Sequence, residues 1–183
     1  MNQRLHHPNT TTLIAAWERI TDKPEQFGKP PRASEHGELM ANLFVIDQVE
    51  GLHWVFRSAG AFIDSLFGRS LIDHEFGCLW PSADRALATT FLSSVQIADR
   101  PGILRTRCET LLGETARMEM TLAPLGQNVS PLSKTPRLLG LMQPLEDFAI
   151  LNHRPIWRQR LTALYPPETG TPSRRLRLVS TRS

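Results

Sequence analysis

Cysteine and long apolar runs are scarce in this chain. Its 183 residues hold two cysteines, Cys78 and Cys108, isolated from each other. Without Cys-x-x-Cys spacing they read as reduced packing thiols, not as a disulfide framework or half of a metal site. No stretch approaches the roughly 18 consecutive apolar residues of a spanning helix. The opening Met1-Asn-Gln-Arg-Leu-His-His-Pro8 lacks the apolar run of a secretory signal. The expectation is a cytoplasmic protein with no membrane span. The six histidines (6, 7, 36, 53, 74, 153) include no pair at the helical i, i+4 spacing of a metal site. A glycine-rich phosphate cradle, a nucleophile elbow and a carboxylate pair on one element are missing too.

Acids are scarce in one place. From Asn152 to Ser183 there are seven arginines (154, 158, 160, 174, 175, 177, 182) against one acid, Glu168. The remaining 151 residues carry 14 basic and 17 acidic side chains, a balance of −3, so the net +3 comes from the C-terminal stretch. Such an end attracts nucleic acid or anionic surfaces in some proteins and is a solvated, flexible tail in most. With no aromatic and basic interleaving beside it, nucleic acid is not the expected partner.

What is present is 40% hydrophobic residues, enough for one domain with a buried core. Thr11 or Thr12 can cap a first helix whose stripe is Leu13, Ile14, Trp17 and Ile20, ending ahead of Pro24. Residues 21–38, with three prolines and two glycines, read as a connecting loop. A strand over 39–47, a tight turn at Glu50-Gly51 and a strand over 52–58 make a hairpin. Gly60 breaks the second strand, and Phe62, Ile63, Leu66 and Phe67 fall at helical spacing up to Gly68. After an irregular stretch from Ser70 to Pro81, Ser82 caps a long helix with Asp84 in its first turn. Its buried face is expected to be Leu87, Phe91 and Val95, joined by Ala83 and Leu92, and Pro101-Gly102 closes it. Strands over 103–112 and 115–124 form a hairpin about Gly113-Glu114. In the second, Ala116, Met118, Met120 and Leu122 make a dry side, and Thr115, Arg117, Glu119 and Thr121 a wet one. A last strand spans 137–145. This order defines an α+β domain with a five-stranded antiparallel sheet, helices on one face and an additional amphipathic N-terminal helix. The expected division is 1–38 for helix and connection, 39–150 for the domain and 151–183 for a tail.

The order Phe56-Arg57-x-x-Gly60, Phe67-Gly68-Arg69-x-Leu71 and Leu79-Trp80-Pro81 resembles the compact, stand-alone PAS-type domain of many alphaproteobacteria, a family long catalogued as a domain of unknown function. The resemblance also takes in the Trp17 helix, Leu43 to Asp47, Arg100-Pro101 and the strand near 138–145, so it covers about residues 10 to 150. Asp73 stands where the family pattern usually has Gly, and the Pro-rich insert near 130–136 is a second departure. The resemblance implies a PAS-like sheet with a pocket between it and the helices, and a role in sensing or signal transduction.

Walls for such a pocket are offered by Trp54, Phe56, Phe62, Phe67, Trp80, Phe91 and Met118, and anchors by Ser58, His74 and Arg105; the same residues also suit an ordinary packed core. No cofactor is named by these residues. Haem needs an axial ligand, and the helix from Ser82 to Asp99 has no histidine. Cys78 and Gln143 lie where flavin photoreceptors of this resemblance place reactive residues, but the surrounding Asn, Arg and Gln are absent, and a buried thiol is the expectation for Cys78. The expected protein is a non-catalytic sensor or adaptor that takes a small ligand, a protein partner or both, with Leu13, Ile14, Trp17 and Ile20 as an interface for a partner or homodimer. Alternatives are binding through the Arg-rich tail, and a small enzyme with His74 as base and Arg105 as electrostatic stabiliser.

Overall fold

The computed structural model describes residues 6–22, 37–51, 53–126, 135–151 and 153–167. Helix α1 (Pro8–Asp22) and the short α2 (Gly37–Ala41) precede strands β1 (Leu43–Val49) and β2 (His53–Ala59). Then come α3 (Ala61–Phe67), a single 3-10 turn (Phe76–Leu79), α4 (Ser82–Ala98), β3 (Gly102–Thr110), β4 (Thr115–Leu125), β5 (Arg137–Pro144), a second 3-10 turn (Phe148–Leu151) and β6 (Ile156–Tyr165). All strand pairs are antiparallel, in the order β2-β1-β5-β4-β3-β6.

The sheet therefore has six strands where five are expected from the sequence. The sixth comes from the stretch taken as a tail: alternation in Ile156-Trp-Arg-Gln-Arg-Leu161 is hidden by its arginines, but pairing with β3 from Ile103 to Thr110 satisfies its backbone. The arginines then find carboxylates, Arg154 on Glu114, Arg158 on Glu109 at 2.5 Å and Arg160 near Asp84 at 3.4 Å. Residues 168–183, including the other four arginines, lie outside the described residues, as do 23–36 of the Pro-rich connection and 127–134 of the insert.

Several local expectations shift by a few residues. α1 begins at Pro8, where a proline at the first helical position costs no hydrogen bond, and not at Thr11 or Thr12. Leu39 to Ala41 belong to α2 instead of a strand. The β3–β4 connection is the four-residue loop Leu111 to Glu114, closed by Thr110 N–H donating to the Glu114 carbonyl at 2.9 Å, with Gly113 at φ +89°. On α4 the buried residues are Ala88, Phe91, Leu92 and Val95, while Leu87 is 53% exposed and Ala83 is exposed. The stripe is rotated because α4 closes on β3, where a side-chain carbon on Gly102 would lie 2.8 Å from both Phe91 and Val95.

Strand alternation gives the sheet two faces. The inner face carries Phe44, Ile46, Trp54, Phe56, Leu104, Met118, Met120, Leu122, Leu138 and Met142, packed with Ile63, Leu66, Phe76, Leu79, Trp80 and the α4 stripe into one core. At its centre Phe44 lies directly over Gly140, its β5 partner. A side-chain carbon at Gly140 would fall 2.0 to 2.3 Å from that ring. The outer face holds α1: Thr10 reaches β4, Trp17 donates its indole N–H to the Pro124 carbonyl at 2.6 Å, and Leu13 is buried with Ile103, Ala123 and Leu141 apart from the main core. Helices thus cover both faces.

Asp73 explains its place in the pattern. Its φ is +63°, in the left-handed region that glycine occupies freely and that aspartate tolerates better than most residues. Its carboxylate pairs with Arg57 at 3.1 Å, and its N–H donates to the Phe56 carbonyl, closing the free edge of β2.

Two substitutions test these packing statements. Gly140→Ala should destabilise the fold by about 1–3 kcal/mol in urea titration, and Phe44→Leu in the same chain should recover part of that loss. Asp73→Ala should cost about 1 kcal/mol more than Asp73→Gly, since glycine is free of the left-handed penalty.

Candidate functional site

The inner face builds an aromatic enclosure. Phe44, Phe56 and Phe76 make a mutual cluster with ring centroids 5.4, 5.7 and 6.2 Å apart, and Trp80 joins Phe76 at 6.0 Å. β2 supplies Trp54 and Phe56 on one side because residues two apart share a face; the 3-10 turn and its cap supply Phe76 and Trp80 on the other. Trp54 and Trp80 are each about 2% exposed, yet the indole N–H of neither meets an acceptor among the described residues. A buried donor with no acceptor carries a desolvation cost of about 1–3 kcal/mol.

At the far side of the same face Gln159 is fully buried, and its Nε2 also lacks an acceptor there. Its Oε1 accepts from the Cys108 thiol at 3.7 Å. Burial pushes the Cys108 thiol up to about 12, so it stays protonated and donates. Cys78, expected to be buried, is exposed beside Arg69, 3.6 Å from its guanidinium. The short turn carrying it packs Phe76, Gly77 and Leu79 inward and leaves the thiol outside.

Of the residues singled out from the sequence, the enclosure brings together Trp54, Phe56, Trp80, Phe91 and Met118 in the buried core, with Phe62 and Phe67 half-buried against it. It does not bring Ser58, His74 or Arg105 to them. Ser58 is exposed and pairs with Val45, whose side chain belongs to the outer face. His74 is exposed; its carbonyl accepts from the Phe56 N–H at 3.0 Å, so the backbone is what it contributes. Arg105 lies on the outer face of β3, with β1, β5 and β4 between it and β2. His74 and Arg105 therefore do not form a base and stabiliser pair. In α1, Leu13 is buried, Ile14 and Trp17 are half-buried and Ile20 is at the surface, so most of the proposed interface stripe faces the chain's own sheet.

The outer face holds a polar centre that the sequence does not reveal. Glu119, expected on a wet side, is fully buried under the start of α1. Its carboxylate accepts from the His7 N–H at 2.9 Å, the Thr10 hydroxyl at 2.7 Å and the Arg105 guanidinium at 2.8 and 2.9 Å, and His6 lies 3.5 Å away. The Thr10 oxygen also meets Thr121 at 3.0 Å and the Gln143 amide N–H at 2.8 Å. Since Thr10 has one proton and gives it to the carboxylate, Thr121 and Gln143 must both donate to it. Burial pushes the Glu119 pKa up, but the hydrogen bonds from Thr10, His7 and Arg105, with the arginine charge, overcome this and hold it below the ordinary 4.5. Opposition of Arg105 and Glu119 across the hairpin is the one part of this centre that strand register makes legible.

A second carboxylate ties the other end of the sheet. Asp47 on β1 accepts both arms of Arg137 at 2.5 and 2.8 Å, with Arg57 at 3.4 Å. The Arg137 hydrogen bonds outweigh burial and, with both arginine charges, hold its carboxyl below the ordinary 3.8.

Sheet order, the helices between β2 and β3 and the enclosed aromatic face define a single-sheet α+β domain. A family profile described as a PAS domain matches residues 5–143, from just before α1 through β5, and the chain belongs to that family. Similar solved structures include the PAS domain, in complex with ethanol, of a LuxR-family transcriptional regulator from Burkholderia thailandensis (19% identity, 58% of this chain and 92% of that one, TM-score 0.41). The PAS domain of BvgS from Bordetella pertussis is 17% identical over 60% of this chain and 80% of that one, TM-score 0.43. The PAS domain of an HTR-like protein from Haloarcula marismortui is 12% identical over 70% and 99%, TM-score 0.40. No curated protein matches the chain. No helix among the described residues is long and apolar enough to cross a membrane.

Glu119 generates a pH test. Because its pKa is lower in the folded chain than in the unfolded one, it contributes stability above about pH 4.5, which is lost as pH falls through the folded value. Glu119→Gln should be less stable at pH 7 by about 2–3 kcal/mol and should lose stability less steeply on acidification below pH 4.5. Thermal unfolding across pH 3 to 7 reads both effects.

Proposed function

We propose that the protein is a non-catalytic sensory or regulatory module that takes a small ligand on the inner face and passes its state to a protein partner. The observation carrying this reading is the pair of buried indole N–H groups, Trp54 and Trp80, which meet no acceptor among the described residues in the core that holds the aromatic cluster. Buried donors are normally paired, so a molecule bringing a hydrogen-bond acceptor into the enclosure would complete them. The ligand this implies is small, with an aromatic or aliphatic body to meet Phe56 and Phe76 and at least one carbonyl, carboxylate or hydroxyl oxygen. Membership of the PAS domain family supports a sensory or regulatory role.

Native mass spectrometry of the protein purified from its own host, set beside the denatured mass, tests this. The expected result is a reproducible added mass that Trp80→Phe or Trp54→Phe removes while the fold persists. The opposite result is also specific: no added mass, and Trp80→Phe that raises stability by about 1 kcal/mol, because replacing an orphaned donor by an apolar ring relieves its desolvation cost. That outcome would make the enclosure a packed core.

A further inference from the structure

α1 covers only the part of the outer face around Glu119, Thr121 and Pro124; beyond it three arginines stand side by side. Arg107 on β3 is directly opposite Arg117 on β4 and directly opposite Arg160 on β6. Like charges so placed across a sheet repel one another. Arg117 is neutralised by Glu146 at 2.6 Å, and Arg160 lies 3.4 Å from Asp84 of α4. Arg107 makes no ion pair within 4 Å among the described residues: its charge is felt by Glu146 only at longer range, and its side-chain hydrogen bond goes to the Thr115 hydroxyl at 3.3 Å. It is exposed, as are Arg117 and Arg160. Its neighbours along β3 on this face are Arg105, taken by Glu119, and Glu109, taken by Arg158. A charged guanidinium is thus held between two others, with no carboxylate among the described residues in hydrogen-bonding contact with it.

Toward the β3–β4 loop the surface turns apolar. Leu111 and Leu112 are 77% and 70% exposed, and Trp157 is 54% exposed with the Arg158 guanidinium 5.0 Å over its ring. Trp157 is displayed because β6 bulges where it passes Glu109 and Thr110. Arginine and tryptophan are the side chains most often found to dominate protein interfaces, and arginine matches carboxylates with two parallel hydrogen bonds.

We propose that this face, centred on Arg107 and rimmed by Leu111, Leu112 and Trp157, docks an acidic segment of a partner protein. Its carboxylates settle on the arginine row, and its apolar side chains cover the leucines and the indole. A lone phosphate or sulfate would use the row and leave the apolar rim bare, which is why the charge and the rim together favour a polypeptide. This names the surface for the partner association in the proposed function, and it stands whether or not the inner face takes a ligand.

The test uses the full chain and a short fluorescein-labelled peptide of alternating glutamate and leucine, followed by fluorescence anisotropy. Binding that weakens as salt rises and falls by about tenfold or more in Arg107→Glu, while Arg107→Lys retains most of it, is the expected result. Trp157→Ala should weaken binding further without changing its salt dependence. Since Arg107 is exposed and faces two arginines, Arg107→Glu should unfold no more easily than the parent, separating lost docking from lost fold. Absence of peptide binding, or binding indifferent to Arg107→Glu, overturns the proposal. So does retention on phosphatidylserine vesicles or competition by inorganic phosphate at equal strength, either of which would make the row a general anion site. The mass measurement on the inner face is independent of all these outcomes, so failure here leaves that reading untouched.

Discussion

Strand β4 is buried on both faces from Met118 to Pro124, and that double burial is the constraint on which the rest of the fold depends. On its inner side the problem is simple, because Met118, Met120 and Leu122 meet other apolar groups. On its outer side β4 offers Glu119 and Thr121, and an ionised carboxylate removed from water must be given donors. The chain supplies them from His7 just before α1 and Thr10 within it, from Arg105 opposite on β3 and, through Thr10, from Gln143 on β5. Helix α1 is therefore fixed by a polar anchor at its start and by Leu13 and Trp17 along its length. Its apolar stripe serves its own domain.

The two proposed roles fall on opposite faces of the sheet. The inner face encloses aromatic rings and two indole donors that meet no acceptor among the described residues, the feature on which the proposed ligand rests. Among the described residues the outer face is covered by α1 over part of its area, with an arginine row beyond the helix, the surface on which the proposed partner rests. Both are read through the same strands. Met118 and Arg117 are neighbours in β4 that point to opposite sides, and Cys108 and Arg107 are neighbours in β3.

Position in the sheet also explains why the C-terminal arginines belong to the domain. Arg154, Arg158 and Arg160 read in sequence as the start of a basic tail, yet each meets a carboxylate once β6 pairs with β3. Asp84 shows the same shift of meaning. In the sequence it suits the first turn of α4; in the structure it also accepts the Leu161 N–H, capping the otherwise open edge of β6. Exposed edges invite further pairing; residues 73–75 cover part of the β2 edge, and Asp84 takes one N–H of the β6 edge.

The sequence by itself determined the local elements: strand and helix periodicity located β1 to β5, α3 and α4, Gly60 and Gly68 bounded α3, and the order of elements was enough for an antiparallel α+β domain. Its aromatic candidates Trp54, Phe56, Trp80, Phe91 and Met118 do share one buried face, because period-two and helical spacing report which side of an element is dry. Only the tertiary structure decided which elements cover which face. Glu119 looked wet until α1 lay over it, Leu87 looked buried until α4 rotated toward Gly102, and Arg105 looked like a pocket anchor until its strand face was known. The sixth strand was hidden for the same reason: alternation is a local signal, whereas burial of a polar side and pairing of an edge depend on partners far away in the chain.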